Sequence, residues 1–123
     1  MRTIKYRAWL EMKKRMFSWE ELINLEIHQF SEYPMSLAHL GEEPFIWLQF
    51  TGLLDKNGKE IYEGDIIANK LELDEAAEVK FFEGAFWAGT KTYRDKLLRL
   101  YIHDDWKVIG NIYENPELLN KKV

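Results

Sequence analysis

The chain has 123 residues, a formal net charge of −4 with histidine neutral, and no cysteine. That length suits one compact domain able to bury its own core, and the lack of cysteine excludes disulfides, thiolate nucleophiles and Cys-ligated zinc. The acidic balance gives no general drive toward nucleic acid, whereas 46% apolar and 15% aromatic residues point to strands, a large core or binding faces.

Taken in chain order, Ile4, Tyr6 and Ala8 alternate with Lys5 and Arg7, a period of two that predicts a first strand. Trp9 leads into a turn around residues 10–14, and Met16, Phe17 and Trp19 predict a return strand or an aromatic plug. Leu22, Ile23, Leu25, Ile27 and Phe30 fit neither period, which leaves residues 20–30 open between a strand pair and a short helix. Pro34, Gly41 and Pro44 punctuate residues 31–44 as a long loop or an insertion. Residues 45–50, FIWLQF, read as a buried strand bounded by Pro44 and Gly52.

Two turns follow closely. Asp55-Lys56-Asn57-Gly58 is a hairpin signal, because asparagine and glycine can take the positive φ that a tight turn needs. A short extended segment, Glu60-Ile61-Tyr62, precedes a second turn at Glu63-Gly64-Asp65, after which Ile66, Ile67 and Ala68 start a new strand. Turns this close leave little room for chemistry between them and mainly redirect the backbone, as the corners of a small barrel require. Asp55 and Asp65 are expected to accept backbone N–H groups within these turns. Further on, residues 71–75 suggest an exposed turn. Ala77, Val79 and Phe81 alternate as a strand, Glu83-Gly84 turns the chain, and residues 85–88 form the next strand. Residues 93–101 fit a strand or a short helical turn. KVIGNIY reads as a last strand broken at Gly110, and Asn115-Pro116 caps one helical turn.

The stretches LQFTGLLDKNGKEIYEGDII, VKFFEGAFWA and VIGNIYENPELL, with the opening MRTIKYRAWLEMKKRMF, resemble the YopX-like family of small phage and prophage proteins. Arg7-Ala8-Trp9 stands at the family's Arg-x-Trp element, and Leu10 occupies a position where members commonly carry Asp. The likeness spans nearly the whole chain, with little family signal in residues 20–43. It implies a mainly β fold with a small SH3-like or related barrel core, an N-terminal β subdomain and a short C-terminal helical turn. It implies a phage origin, and no established catalytic activity comes with it. The chain is accordingly read as a single domain over residues 1–123. Residues 1–44 form its N-terminal subdomain or insertion, and residues 45–123 its barrel core.

His103-Asp104-Asp105 combines an imidazole with two carboxylates, a set suited to a hard divalent metal or to acid–base chemistry. No accompanying motif supports that use, and a solvated turn is the preferred reading. His28 and His39 lack the spacing of a helical ligand pair. Asp55, Glu60, Glu63 and Asp65 do not match a calcium-loop pattern. Phosphate-binding glycine motifs and a nucleophile elbow are absent from the sequence. No cofactor is expected, and no catalytic or metal-ligating residue is assigned.

Two basic groups, Arg7 with Lys14 and Arg94 with Arg99, are the candidate nucleic-acid contacts. Trp9, Trp87 and Tyr93 are the candidate interaction anchors, and Asp55, Asn57, Gly58, Gly64 and Asp65 the structural turn residues. The N-terminus shows no secretory signal and no stretch has the length of an apolar membrane span, so a cytoplasmic location in the host cell is expected. The expected role is a non-enzymatic accessory protein that binds a host or phage protein or its own copies. A nucleic-acid-binding accessory and a metal-dependent enzyme are the alternatives.

Overall fold

The computed structural model describes residues 3–23, 45–69, 75–90, 92, 95–101 and 106–120. The chain divides into two compact units, Lys5–Gln49 and a second formed by Met1–Ile4 with Phe50–Val123. The fold is mainly β, with an N-terminal β subdomain, a curled half-barrel sheet of the SH3-like kind and a short C-terminal 3-10 turn.

In the N-terminal unit, strand β1 (Tyr6–Leu10) pairs antiparallel with β2 (Arg15–Phe17), and on its other side with the first half of β3 (Phe45–Leu54). A 3-10 turn at Glu11–Lys13 joins β1 to β2 and closes on Lys14, which is left-handed at φ 53. The alternation seen at the start of the chain places Ala8 and Leu10 on one face. There they form a small core with Phe17, Leu22 and Phe45, in which the Phe17 and Phe45 rings meet edge-on at 5.6 Å. Helix α1 (Trp19–Ile23) resolves the first residues of the ambiguous segment. Its start is a reciprocal cap: the Glu21 N–H donates to Ser18 Oγ and the Ser18 N–H to Glu21 Oε1, each at 3.1 Å. Such a Ser-x-x-Glu box contributes about 1 kcal/mol, enough to favour helix where the apolar spacing was undecided. Residues 24–44, with His28 and His39, lie outside the described residues.

FIWLQF departs from the expected buried strand in two ways. Ile46 and Trp47 are 41% and 39% exposed, and the strand runs on through Gly52 to Leu54. The continuation works because a register shift between Phe50 and Leu54 lets β3 bend while it pairs with β4 (Glu60–Tyr62).

The C-terminal unit is a meander of β5 (Asp65–Ala68), β6 (Ala77–Phe82), β7 (Ala85–Gly89) and β8 (Lys96–Leu97). The last strand, β9 (Lys107–Asn111), returns to lie beside β5, giving the order β8-β7-β6-β5-β9. Gly110 does not break this strand. The ladder steps from Ile66↔Gly110 to Ile67↔Val108, so Ile109 is the extra residue of a bulge. Residues 96–101 use both conformations expected of them, because β8 runs directly into helix α2 (Leu98–Tyr101). Ile61, Ile67, Ala77, Val79, Ala88, Leu98 and Trp106 make the core, with Leu53, Phe86 and Val108 packed at its edge.

The two close turns stitch this unit together. Gly64 has φ 88, and its N–H donates to the Val79 carbonyl at 2.8 Å while its own carbonyl accepts from the Ile112 N–H at 2.9 Å. Asp65, 1% exposed, accepts the Tyr62 N–H at 2.8 Å and pins the turn from inside. Gly58, at φ 81, has open space where a Cβ would stand. Both glycines occupy a backbone region costly for other residues, but only Gly64 is held on both sides. Alanine at Gly58 is therefore expected to cost about 1 kcal/mol, and at Gly64 about 2 kcal/mol or more. Urea unfolding of the two variants checks the order, and equal stabilities would show that bonding Gly64 through both its N–H and its carbonyl does not make its turn the more constrained one.

Candidate interaction surface

The hairpin of β6 and β7 turns at Glu83 and Gly84, with φ 49 and 76 and Phe82 paired to Ala85. Positive φ at both turn residues is the geometry that matches the strand twist. This turn sets two aromatic pairs at the end of the sheet. Phe81 lies 4.7 Å from Phe86, and Phe82 stacks on Trp87 at 5.1 Å with 12° between the rings. The Trp87 Nε1–H donates to the Phe82 carbonyl at 3.1 Å, which fixes the indole over its neighbour. Phe81 and Phe82 are each 39% exposed, so the stack presents apolar area to solvent.

Next to the hairpin turn lies an open cleft of about 300 Å³ lined by Leu53, Phe86, Leu97, Leu98, Thr51 and Arg99. Leu98 belongs to the buried core, so the cleft opens onto its edge. On the β6 side, Lys80 Nζ pairs with Asp95 at 3.2 Å. Burial pushes the Glu78 carboxyl above the usual range; Lys80 opposes this and Asp95 adds to it.

The candidate anchors have different fates. Trp87 stands in the exposed stack. Trp9 is 2% exposed and its Nε1–H donates to Glu11 Oε2 at 2.7 Å, so burial removes its ring from any surface role. Tyr93 and Arg94 lie outside the described residues, as does His103-Asp104-Asp105. Of the candidate basic contacts, Lys14 is paired with Glu11 in the N-terminal unit, where Arg7 also sits. That Lys14 contact and the Trp9 bond hold the exposed Glu11 carboxyl below the usual range. Arg99 is exposed at the cleft of the C-terminal unit. The sequence did not single out Phe81 and Phe82. The signal was present as two adjacent phenylalanines directly before a Glu-Gly turn, where one of any adjacent pair must face away from the core.

The acids of the close turns do not gather into a cage. Asp55 Oδ1 accepts from the N–H groups of Asn57 and Lys59 at 2.8 and 2.9 Å, and Oδ2 from that of Val108 at 2.9 Å. Glu60 Oε1 accepts the Tyr62 hydroxyl at 3.3 Å. Among the described residues no group of three His, Asp or Glu side chains is placed to hold a metal ion. Among them, too, no helix is long and apolar enough to cross a membrane.

The family model described as YopX protein matches residues 5–120. The crystal structure of protein EF1440 from Enterococcus faecalis is similar, with a TM-score of 0.63 and 26% identity over 97% of this chain and 99% of that one. The crystal structure of YopX from Bacillus subtilis has a TM-score of 0.57 and 22% identity over 96% and 98% of the two chains, a likeness of fold. No curated protein matches the chain.

A double-mutant cycle over Phe82→Ala and Trp87→Ala is expected to give a coupling of about 0.5–1.5 kcal/mol, the range for a stacked aromatic pair. Denaturant unfolding of the four proteins measures it, and a coupling of zero would mean that the rings do not hold one another.

Proposed function

The chain belongs to the YopX family of phage and prophage proteins, and we propose that it acts in the host cytoplasm as a non-enzymatic accessory protein that holds a partner protein on the β6–β7 aromatic face. The observation that carries this reading is the ordered, solvent-facing stack of Phe82 on Trp87, on the face of the hairpin opposite the one that Val79 and Ala88 turn to the core. A rigid aromatic plate loses little conformational entropy on docking, and tryptophan is enriched among the residues that dominate protein interfaces. Charge distribution favours a protein over a nucleic acid. Lys14, Arg15 and Lys80 are engaged by Glu11, Glu21 and Asp95, so part of the positive charge these cations would offer a phosphate is already offset by neighbouring acids.

The test is capture from lysogenic or infected host lysate with the full chain as bait, with and without nuclease. A protein retained after nuclease treatment by the wild type, and lost with the Phe82→Ser/Trp87→Ser variant, is the expected result. Retention of nucleic acid alone would overturn the reading. Sedimentation of the bait over a concentration series separates a heterologous partner from association of the chain with itself.

A further inference from the structure

The cleft beside the hairpin has a chemistry distinct from the aromatic stack. Its apolar wall is formed by Leu53, Phe86 and Leu98. Its one hydroxyl is already committed: Thr51 Oγ1 donates to the Ile61 carbonyl at 2.7 Å and accepts from the Leu53 N–H at 3.1 Å. Arg99 is the charged member of the lining. It is exposed and has no hydrogen-bond or ion-pair partner among the described residues, in contrast to Arg15 and Lys80, which are paired. Glu83 stands at the hairpin turn next to Gly84 of the lining.

The cleft therefore pairs apolar walls with a guanidinium that no described residue engages. A guanidinium fork matches a carboxylate in a bidentate fashion. The cleft is open rather than enclosed, which suits a side chain delivered by a polypeptide lying across it better than a small molecule that needs most of its surface covered. Glu83 disfavours an acid near the turn and so gives the bound segment a direction.

We propose that this cleft docks a segment of the partner protein in which a large apolar side chain neighbours a carboxylate, the first against Leu53, Phe86 and Leu98 and the second on Arg99. The proposal rests on the reading of the chain as a protein-binding module and specifies the chemistry of the segment bound.

Isotope-labelled full-length protein is titrated with three synthetic peptides and followed by backbone amide shifts. The first is acetyl-Gly-Ser-Leu-Phe-Glu-Glu-Ser-Gly; the second replaces both Glu by Lys; the third replaces Leu-Phe by Ala-Ala. The first peptide is expected to shift the amides of Leu53, Phe86, Leu98 and Arg99, and the other two to bind more weakly. Arg99→Ala is expected to weaken the first peptide by roughly threefold to tenfold, with Arg99→Lys in between. Arg99 is exposed, so these variants should fold, and their unchanged amide spectra elsewhere verify it. Equal binding of the lysine peptide, an unaffected Arg99→Ala protein, or no response to the first peptide overturns the cleft proposal. Loss of lysate capture through the Phe82/Trp87 variant would still stand in each of those cases, so the two readings fail separately.

Discussion

The C-terminal unit depends on one carboxylate. Asp55, 7% exposed, accepts the N–H groups of Asn57 and Lys59 within its own turn and that of Val108 on β9. The Lys56 N–H donates to the Trp106 carbonyl at 3.0 Å beside it. One side chain thus shapes the β3–β4 hairpin and attaches it to the last strand. Burial alone would push this carboxyl up. The N–H groups of Val108, Lys59 and Asn57, helped by the charge of Lys59, outweigh burial and hold it below the usual range. Gly64 performs the matching task at the next turn, joining β6 and the segment after β9 through its own backbone. Together these bonds position β9 beside β5 and leave β6 and β7 free to project their aromatic hairpin.

Much of this architecture was legible from local pattern. Alternation marked β1 and β6, and the Asn-Gly and Glu-Gly pairs marked turns, because positive φ restricts which residues serve there. The Ser18–Glu21 box was also local, and reading it would have settled the start of α1. What local pattern does not encode is the partner of each element. The Asp55–Val108 bond spans 53 positions, and the carboxylate alone gives no sign of which distant amide it will meet. The bulges at β3 and β9 were hidden for a similar reason. Both arise where a strand accommodates its neighbour's register, so Gly52 and Gly110 resemble strand ends until the pairing is seen.

Surface chemistry was less legible than fold. The sequence supplies many aromatic rings, and composition cannot sort Trp9, buried beside Glu11, from Trp87, held on an exposed phenylalanine. Charges behave alike: a basic run reads as a phosphate-binding surface until Glu11 and Glu21 are seen to engage Lys14 and Arg15. The functional reading therefore rests on two contrasts that only the folded chain supplies, an ordered apolar stack left at the surface and an arginine without a partner among the described residues beside an apolar cleft.

The most direct test of the Asp55 account is the pH dependence of unfolding in the wild type and in Asp55→Asn. A carboxyl held below its unfolded value of about 3.9 contributes stability that is present above that pH and lost as pH falls through the folded pKa. At pH 7 the variant should be less stable by about 1–3 kcal/mol, the range for a charged acceptor whose buried N–H partners lose it. The gap should narrow as the solution is acidified below about pH 4. A gap that is absent at pH 7, or that stays constant down to pH 2, would contradict the claim that the ionised Asp55 carboxylate holds β9 to the hairpin.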